Sequence, residues 1–575
     1  MTDQKWIIDT VPSRRFPVYT RLNANDVMPD PITPLAASLV WTPEILPGWA
    51  SGYVRLDSFT PEEMSGEEYA PSGGFFYGYL YVNMTTVRVI GVRAGIGSEG
   101  IDAAFFTHPN PPPHRSSPSD INEKLSAKMA GRVQWTLTTT AIPELEEERE
   151  FADRIRAQRP DLTTCSNEVL VTWARSLAPV QRLFWGRGYV IASNQAALGP
   201  GIISSLVGAA DPSLAIKVIG SAGDVDSALP SYALWDLSRQ VRSDAALSAE
   251  FDKGDEELLK RLEADHPGFA TKFRTFLHEF GYRGPSEWDI GMPSWETQPE
   301  LPLALIGRLR HLDDDASPAL RKEQRAAEAA EALQKALEIL GDNAEAVQTL
   351  HLAIGSARRF AAWRERGKSN AVKVLNEIRV ALYELGRRLV ANGELDDQRE
   401  VFMALESELD VLTTHAADLR DTLRAREEQW KKLFDVVPPD FVVGGEPMPL
   451  LSELMRKDGE RGATVRPGDV LTGAPASAGV ARGRARVVRD MSQIASFEPG
   501  EILVAPQTDP SWTPLFMVSA GVVVDVGAMG SHAMIVSREL GIPCAAGVSG
   551  ATSRIPDGTL LEVDGSTGKV TVLEG

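Results

Sequence analysis

The sequence predicts an α+β fold, in which a long and mostly helical region is followed by a small α/β domain. Three observations carry that expectation. Between residues 145 and 433 apolar residues recur at helical spacing among charged ones, as in 145–156, 167–183 and 246–276. Beyond residue 466 the chain changes to short β runs separated by turns. Between the two lies a Gly- and Pro-containing stretch, from Pro438 to about Gly468, with the character of a linker. The expected boundaries are therefore a helical domain at 1–437 with an extended N-terminal arm, a linker or hinge at 438–465, and the small domain at 466–575.

Composition narrows the classes. A chain of 575 residues has length for several domains, and 43% apolar residues exclude wholesale disorder. The net charge of −20 argues against a nucleic-acid partner, which needs a basic face. Cys165 and Cys544 are the only cysteines, so no disulfide framework or four-cysteine metal site can be built, and both are expected as buried apolar fillers. No bound metal is expected. The N-terminus lacks the basic flank and apolar core of a signal peptide, and no run approaches the roughly 18 apolar residues of a membrane span. The expectation is a cytoplasmic protein with no membrane partner.

In chain order, residues 16–21 and 27–35 are too proline-rich for helix and are expected to lie extended over a domain surface. Residues 78–84 alternate aromatics as a strand does. Helical spacing ends near Phe276, and Gly284-Pro285 marks a turn. Ser317-Pro318 is an N-cap and N1 pair for a helix with Leu333, Leu337 and Leu340 on one face, closed by Gly341. Arg364 and Lys368 stand four apart on the next helical stretch and so share a face.

The stretch 521–543 reads as strand, glycine turn and helix. Gly521 to Val526 is a largely apolar β-branched run, Gly527 and Gly530 bracket the turn, Ser531 occupies the N-cap position, and the helix stops at Gly541-Ile542-Pro543. His532 then falls in the first helical turn, where unpaired N–H groups and the helix dipole favour an anion on or beside the ring.

These residues resemble the phosphohistidine domain of the phosphoenolpyruvate-utilising enzymes, whose pattern runs G-G-x-x-S/T-H-x-A-I-V-A-R-E-x-G-I-P. Ala528, Met534 and Ser537 depart from it, and none of the three removes the nucleophile. Residues 471–479, 483–488, 503–506 and 508–516 are similar to the same domain in the same order. The resemblance implies that His532 carries a phosphoryl group, with Gly527, Gly530, Ser531 and Arg538 completing the motif, on a domain that swivels between two sites. Upstream, Arg21 with its proline-rich turn and residues 78–84 are similar to the substrate-side region of rifampicin-phosphotransferase-like members. Residues 276–290 resemble a further family stretch, with Tyr282 in the usual histidine position. Arg283, Glu287 and Asp289 either line an acceptor site there or belong to a plain helix end and turn. Arg364 and Lys368 either decorate a solvated face or, as a similar Arg-Glu-x-x-Lys run in the family implies, clamp phosphate.

No Walker-type phosphate loop or nucleotide-domain start is visible, so ATP and Mg are expected on a separate ATP-grasp-type subunit, with no cofactor held tightly by this chain. That layout is most like the phosphohistidine-carrying subunit of two-component aryl phosphate synthases of the phenylphosphate and 4-methylphenyl phosphate type. It implies phenol or 4-methylphenol as acceptor, in a cleft for which Tyr79, Tyr81, Trp185, Trp288 and Trp295 offer an aromatic wall. The alternatives are half of a split antibiotic phosphotransferase, similar to that for rifampicin, and a non-catalytic phosphocarrier.

Overall fold

The computed structural model describes residues 6–65, 71–106, 108, 110–220, 225–254, 257–456, 464–489, 497–508, 512–527 and 531–574. Its architecture is α+β, as expected. The chain divides into two compact units, each gathered from three stretches: Met1–Gln195, Trp288–Met292 and Arg366–Glu460 in the first, Ala196–Glu287, Pro293–Glu365 and Arg461–Gly575 in the second.

In the first unit, strands β1 (Val18–Thr20), β2 (Gly73–Phe76), β3 (Tyr79–Asn83) and β4 (Phe441–Val443) form an antiparallel sheet in the order β2-β3-β1-β4. A two-residue turn joins β2 to β3, with φ of 55° at Tyr77 and 79° at Gly78, the paired positive values that suit a tight hairpin. Tyr77 tolerates that backbone because Asp9 accepts hydrogen bonds from the N–H groups of Tyr77, at 2.9 Å, and Gly78, at 2.8 Å. The proline-rich N-terminal segment does not lie over a surface. Its strand β1 sits inside the sheet between β3 and β4, and Tyr19, Ile32 and Leu35 are buried. Strand β4 likewise turns the first part of the expected linker into a paired strand.

Helices make up the remainder of this unit. Among them are Pro143–Ala157 and Asn167–Phe184, which begin and end within two residues of the sequence expectation. One helical run among the described residues, Asn167–Val207, is long and apolar enough to cross a membrane by length and composition. In its first part Gln181 donates to the Ala371 carbonyl at 3.0 Å and Arg182 pairs with Glu44 at 2.9 Å, contacts within the first unit.

The second unit joins a helical layer to a larger sheet. Its strands are β5 (Val470–Thr472), β6 (Ala474–Ser477), β7 (Val480–Val487), β8 (Ile502–Ala505), β9 (Gly521–Val524), β10 (Cys544–Ala546), β11 (Leu560–Asp564) and β12 (Lys569–Glu574). They run in the order β5-β12-β11-β7-β8-β9-β10-β6, and the four consecutive strands from β7 to β10 are parallel. Parallel strands need crossovers, and short helices supply two of them: Thr513–Val518 between β8 and β9, His532–Leu540 between β9 and β10. One apolar core runs from the helical layer, through Phe273, Phe276, Trp295 and Ile306, to Leu515, Phe516 and Met534 beside those crossovers.

The helix Pro318–Leu340 opens on proline and closes at Gly341, whose φ is 56°. It buries a stripe of small residues, Ala329, Ala332 and Ala336, in place of its leucines, because the neighbouring backbone comes too close for larger side chains: a Cβ at Gly220 would lie 2.7 Å from that of Ala329. The next helix, Ala344–Ala391, runs unbroken for 48 residues and carries both Arg364 and Lys368. Cys544 is buried in β10 as expected, whereas Cys165 is half-exposed in the loop before Asn167–Phe184. That loop offers no core for a thiol to fill.

Candidate active site

The candidate site forms where β8 and β9 end. Parallel sheets leave loops and helix N-termini at the carboxyl ends of their strands, and ligands gather there. From β8 the chain passes Thr508 and enters the helix Thr513–Val518; from β9 it passes Asp525 and Gly527 and enters His532–Leu540. Ser531 caps this second helix, its hydroxyl accepting from the Met534 N–H at 3.5 Å. Gly541, at φ 69°, closes it in a left-handed cap, with the N–H of Ile542 donating back to the Ser537 carbonyl at 2.9 Å.

His532 is thus the first helical residue, half-buried, with its ring edge-on to Phe516 at 5.9 Å. A threonine hydroxyl stands at each ring nitrogen: Thr508 Oγ1 is 3.0 Å from Nδ1 and Thr513 Oγ1 is 3.2 Å from Nε2. A hydroxyl can accept from an imidazole N–H or donate to its lone pair, so the two threonines fix the ring plane for either tautomer. Neither was singled out as a site residue by the sequence, although both lie in the stretch 508–516. They are 24 and 19 residues from His532 along the chain, and the β8 and β9 crossovers bring them together.

The rest of the motif supports this ring. A Cβ at Gly527 would meet Ala546 Cβ at 2.8 Å, so the turn passes β10 too closely for any side chain. Gly530 lies outside the described residues. Arg538 faces away from a phosphate role: its Nε donates to the Ala476 carbonyl at 2.6 Å, tying the helix to β6. Asp525 accepts hydrogen bonds from the N–H of Thr552, at 2.8 Å, and from its hydroxyl, anchoring the end of β9. Burial pushes the Asp525 carboxyl up to about 6, against the pull of those hydrogen bonds and of Arg489.

The upstream candidates separate between the units. In the second unit, which also holds His532, Arg283 and Glu287 form a buried ion pair at 3.3 Å, and the Arg283 guanidinium also donates to the Asp226 carbonyl at 3.2 Å. Burial works against the charge of Arg283, but the neighbouring Tyr282, Glu287, Glu365 and Asp226 more than offset it and hold the guanidinium above its usual pKa. Arg364 pairs with Glu365 at 3.4 Å, so Glu365, 8% exposed, joins this charged group.

The other candidates belong to the first unit. There Arg21 stacks over the Tyr79 ring at 4.5 Å and donates to Asn25 and to the Pro29 carbonyl, contacts that hold the N-terminal segment in place. Asp289 accepts from the Thr33 N–H and hydroxyl, at 2.8 and 2.6 Å, and from the Gly291 N–H at 2.8 Å, the pattern of a structural turn. Burial still pushes its carboxyl pKa up. Lys368 is on the part of the long helix that belongs to this unit.

The proposed aromatic wall also divides. Tyr79 and Tyr81 are buried in β3, their hydroxyls donating to the carbonyls of Leu433 and Pro439 at 2.6 Å each. Trp185 and Trp288 pack together at 5.2 Å with Trp41 and Tyr189 in the first unit, while Trp295 stacks on Phe276 in the second.

Two stretches of the sequence match known protein families. Residues 188–365 match the fourth domain of rifampicin phosphotransferase, and residues 497–568 match the mobile domain of phosphoenolpyruvate-utilising enzymes. An uncharacterized protein of Mycobacterium tuberculosis is 33% identical over 319 residues, which is 55% of this chain and 33% of that protein. Rifampicin phosphotransferase of Streptomyces sviceus is 31% identical over 366 residues, 62% of this chain and 40% of the relative. The Bacillus cereus rifampicin phosphotransferase is 30% identical over 304 residues, 52% and 34% of the two chains. The chain thus spans between about a third and two fifths of the length of these relatives.

Proposed function

Taking as premise that this chain is a member of the phosphoenolpyruvate-utilising enzyme family, we propose that it carries a phosphoryl group on His532 and passes it to the hydroxyl of a small aromatic alcohol. The observation that carries this reading is the setting of His532: first residue of a capped helix at the ends of parallel strands, with a threonine hydroxyl at each ring nitrogen. In loading, a neutral ring nitrogen attacks the donor phosphorus, forming P–N as the donor P–O bond breaks. The positive end of the helix dipole at this first turn favours the negative phosphoryl group of the product.

The donor is ATP, held with Mg on an ATP-grasp-type partner. In discharge the acceptor oxygen attacks in line, O–P forms, P–N breaks and the phenolic proton is lost. A phenol, with a pKa near ~10 like that of tyrosine, gives up that proton more readily than an alkyl alcohol. Arg283, with Glu287, Glu365 and Arg364 around it, supplies fixed charge in the unit that holds His532.

A second reading has one specific support. The match of residues 188–365 to the fourth domain of rifampicin phosphotransferase favours a larger hydroxylated acceptor such as that antibiotic.

The test is a two-stage labelling experiment on the full chain. With labelled ATP and an ATP-grasp partner, acid-labile label should appear on His532 and not on a His532→Asn variant; the chain alone should take up none. A chase with 4-methylphenol or with rifampicin then identifies the acceptor. Label on another residue, or efficient self-labelling, would falsify the arrangement; label that neither chase discharges would leave a phosphocarrier.

A further inference from the structure

Asp525 stands where β9 ends, and the segments that follow β7, β8 and β10 meet on it. Its carboxyl grips Thr552, in the short turn Ala551–Arg554 after β10, by the N–H at 2.8 Å and by the hydroxyl. Arg489, just past β7, donates to the carbonyl of the same threonine at 2.7 Å, so Thr552 is held from both sides. The backbone of Asp525 is bound in turn to β8: the N–H groups of Asp525 and Val526 donate to the carbonyls of Ala505 and Pro506, at 3.0 Å each. Thr508 follows Pro506 closely in the chain, is 4% exposed, and places its hydroxyl 3.0 Å from Nδ1 of His532. In the other direction the chain leaves Asp525 through Gly527, which has no room for a side chain beside Ala546, and reaches Ser531 and the helix that begins at His532. The imidazole and the hydroxyl at its Nδ1 are therefore carried on two arms that are both fixed at Asp525. A carboxylate suits this place because each of its oxygens accepts, so that it holds an N–H and a hydroxyl of one residue at once with charge-assisted bonds.

We propose that Asp525 is a positioning residue for His532: by gripping Thr552 it sets the end of β9, and with it the distance between the imidazole and the Thr508 hydroxyl. A reactive side chain is held only as well as the groups behind it, and here those groups come from separate crossovers. The contact at Nδ1 is 3.0 Å long, and a hydrogen bond is lost by about 3.6 Å, so a small displacement of one arm is enough to break it. The consequence for phosphoryl transfer rests on the reading of His532 given above; the positioning does not.

The test reads the ring with no phosphoryl group present, from 15N spectra of the full chain at a pH where the imidazole is neutral, with the resonances of His532 assigned by His532→Asn. Thr508→Val shows how far the Nδ1 resonance moves when its hydroxyl partner is gone. Asp525→Ala should move it in the same direction by a comparable amount, and should add nothing on top of Thr508→Val. Asp525→Asn removes the charge but keeps an acceptor and a donor for Thr552, and should return the resonance to its parent position, which loss of charge alone would not do. Thr552→Val takes away the hydroxyl from the other side of the grip with little change of shape, and carries the test if Asp525→Ala does not fold; it should move Nδ1 the same way by less. Shifts that add in the double variant, a shift in Asp525→Asn as large as that in Asp525→Ala, or an Nδ1 resonance that Thr552→Val leaves unmoved would each overturn the proposal. Since the spectra involve no phosphate, a chain that takes up no label from ATP and its partner would refute the carrier reading without altering this result.

Discussion

At the scale of single residues, the threonines at the two nitrogens of His532 have unequal parts to play. In the phosphoryl transfer proposed for this ring, one nitrogen carries the proton and the other presents the lone pair that attacks phosphorus. The threonine at the protonated nitrogen accepts from it and holds the tautomer; the threonine at the nucleophilic nitrogen donates to its lone pair and must release it. Replacing the first should therefore slow loading by about tenfold, and replacing the second should leave it unchanged or faster. Single-turnover loading of Thr508→Val and Thr513→Val, with the phosphorylated nitrogen assigned by NMR, checks this: the slow variant must mark the nitrogen that is not phosphorylated, and equal effects would sink the idea. Glu148, 1% exposed in the helix Pro143–Ala157, makes a prediction in pH. Burial raises its folded pKa to about 9, above the unfolded value near 4.5, so its contribution to stability is complete below 4.5 and is lost as pH rises through 9. Glu148→Gln should gain stability relative to the parent across that window, read as the difference between their Tm values from pH 5 to 9. A difference that does not change with pH would mean that Glu148 is ionised in the folded protein.

At the scale of elements, the helix that begins at His532 was legible because its signals are local: a β-branched run, a glycine turn, a serine cap and a glycine stop lie within about twenty residues. Each has a measurable consequence. Gly527→Ala would drive a methyl group against Ala546 and should cost about 1 to 3 kcal/mol in urea unfolding, the range for overpacking a tight contact. An unchanged midpoint would show that the turn has room to move. The N-terminal sheet was not legible, because the partner that draws β1 out of an arm and into a sheet is far away. Thr20 donates to the carbonyl of Asp440, 420 residues on. Periodicity in a short proline-rich segment says nothing about such a partner. The same reason hid the threonines of the site and the pairing of Arg364 with Glu365 beside Arg283. The motif pointed to His532, but the groups around that ring come from other crossovers and other helices.

At the scale of the whole molecule, the second unit holds its α/β part to its helical part by more than an apolar core. From Pro318–Leu340, Arg325 donates to the Ser537 carbonyl at 3.1 Å and Arg321 to the Met517 carbonyl at 3.4 Å, at the C-terminal ends of both crossover helices. These are the ends where a cation meets the negative pole of a helix. The proposed carrier role requires that such contacts be released in each cycle. Arg321→Ala with Arg325→Ala should raise deuterium exchange in Thr513–Val518 and His532–Leu540 while leaving β1–β4 unchanged; unaltered exchange would show that the apolar core alone fixes the arrangement. The contrast between the two cysteines adds a practical consequence. Burial pushes the Cys544 thiol up to about 12, so it stays protonated and out of reach, while Cys165 is half-exposed. The natural sequence is therefore ready for spectroscopy without mutagenesis: the native chain should take up a single maleimide, at Cys165, and a second only on unfolding, as counted by intact mass. A dye placed there would sit in the first unit and leave the small domain that holds His532 chemically untouched.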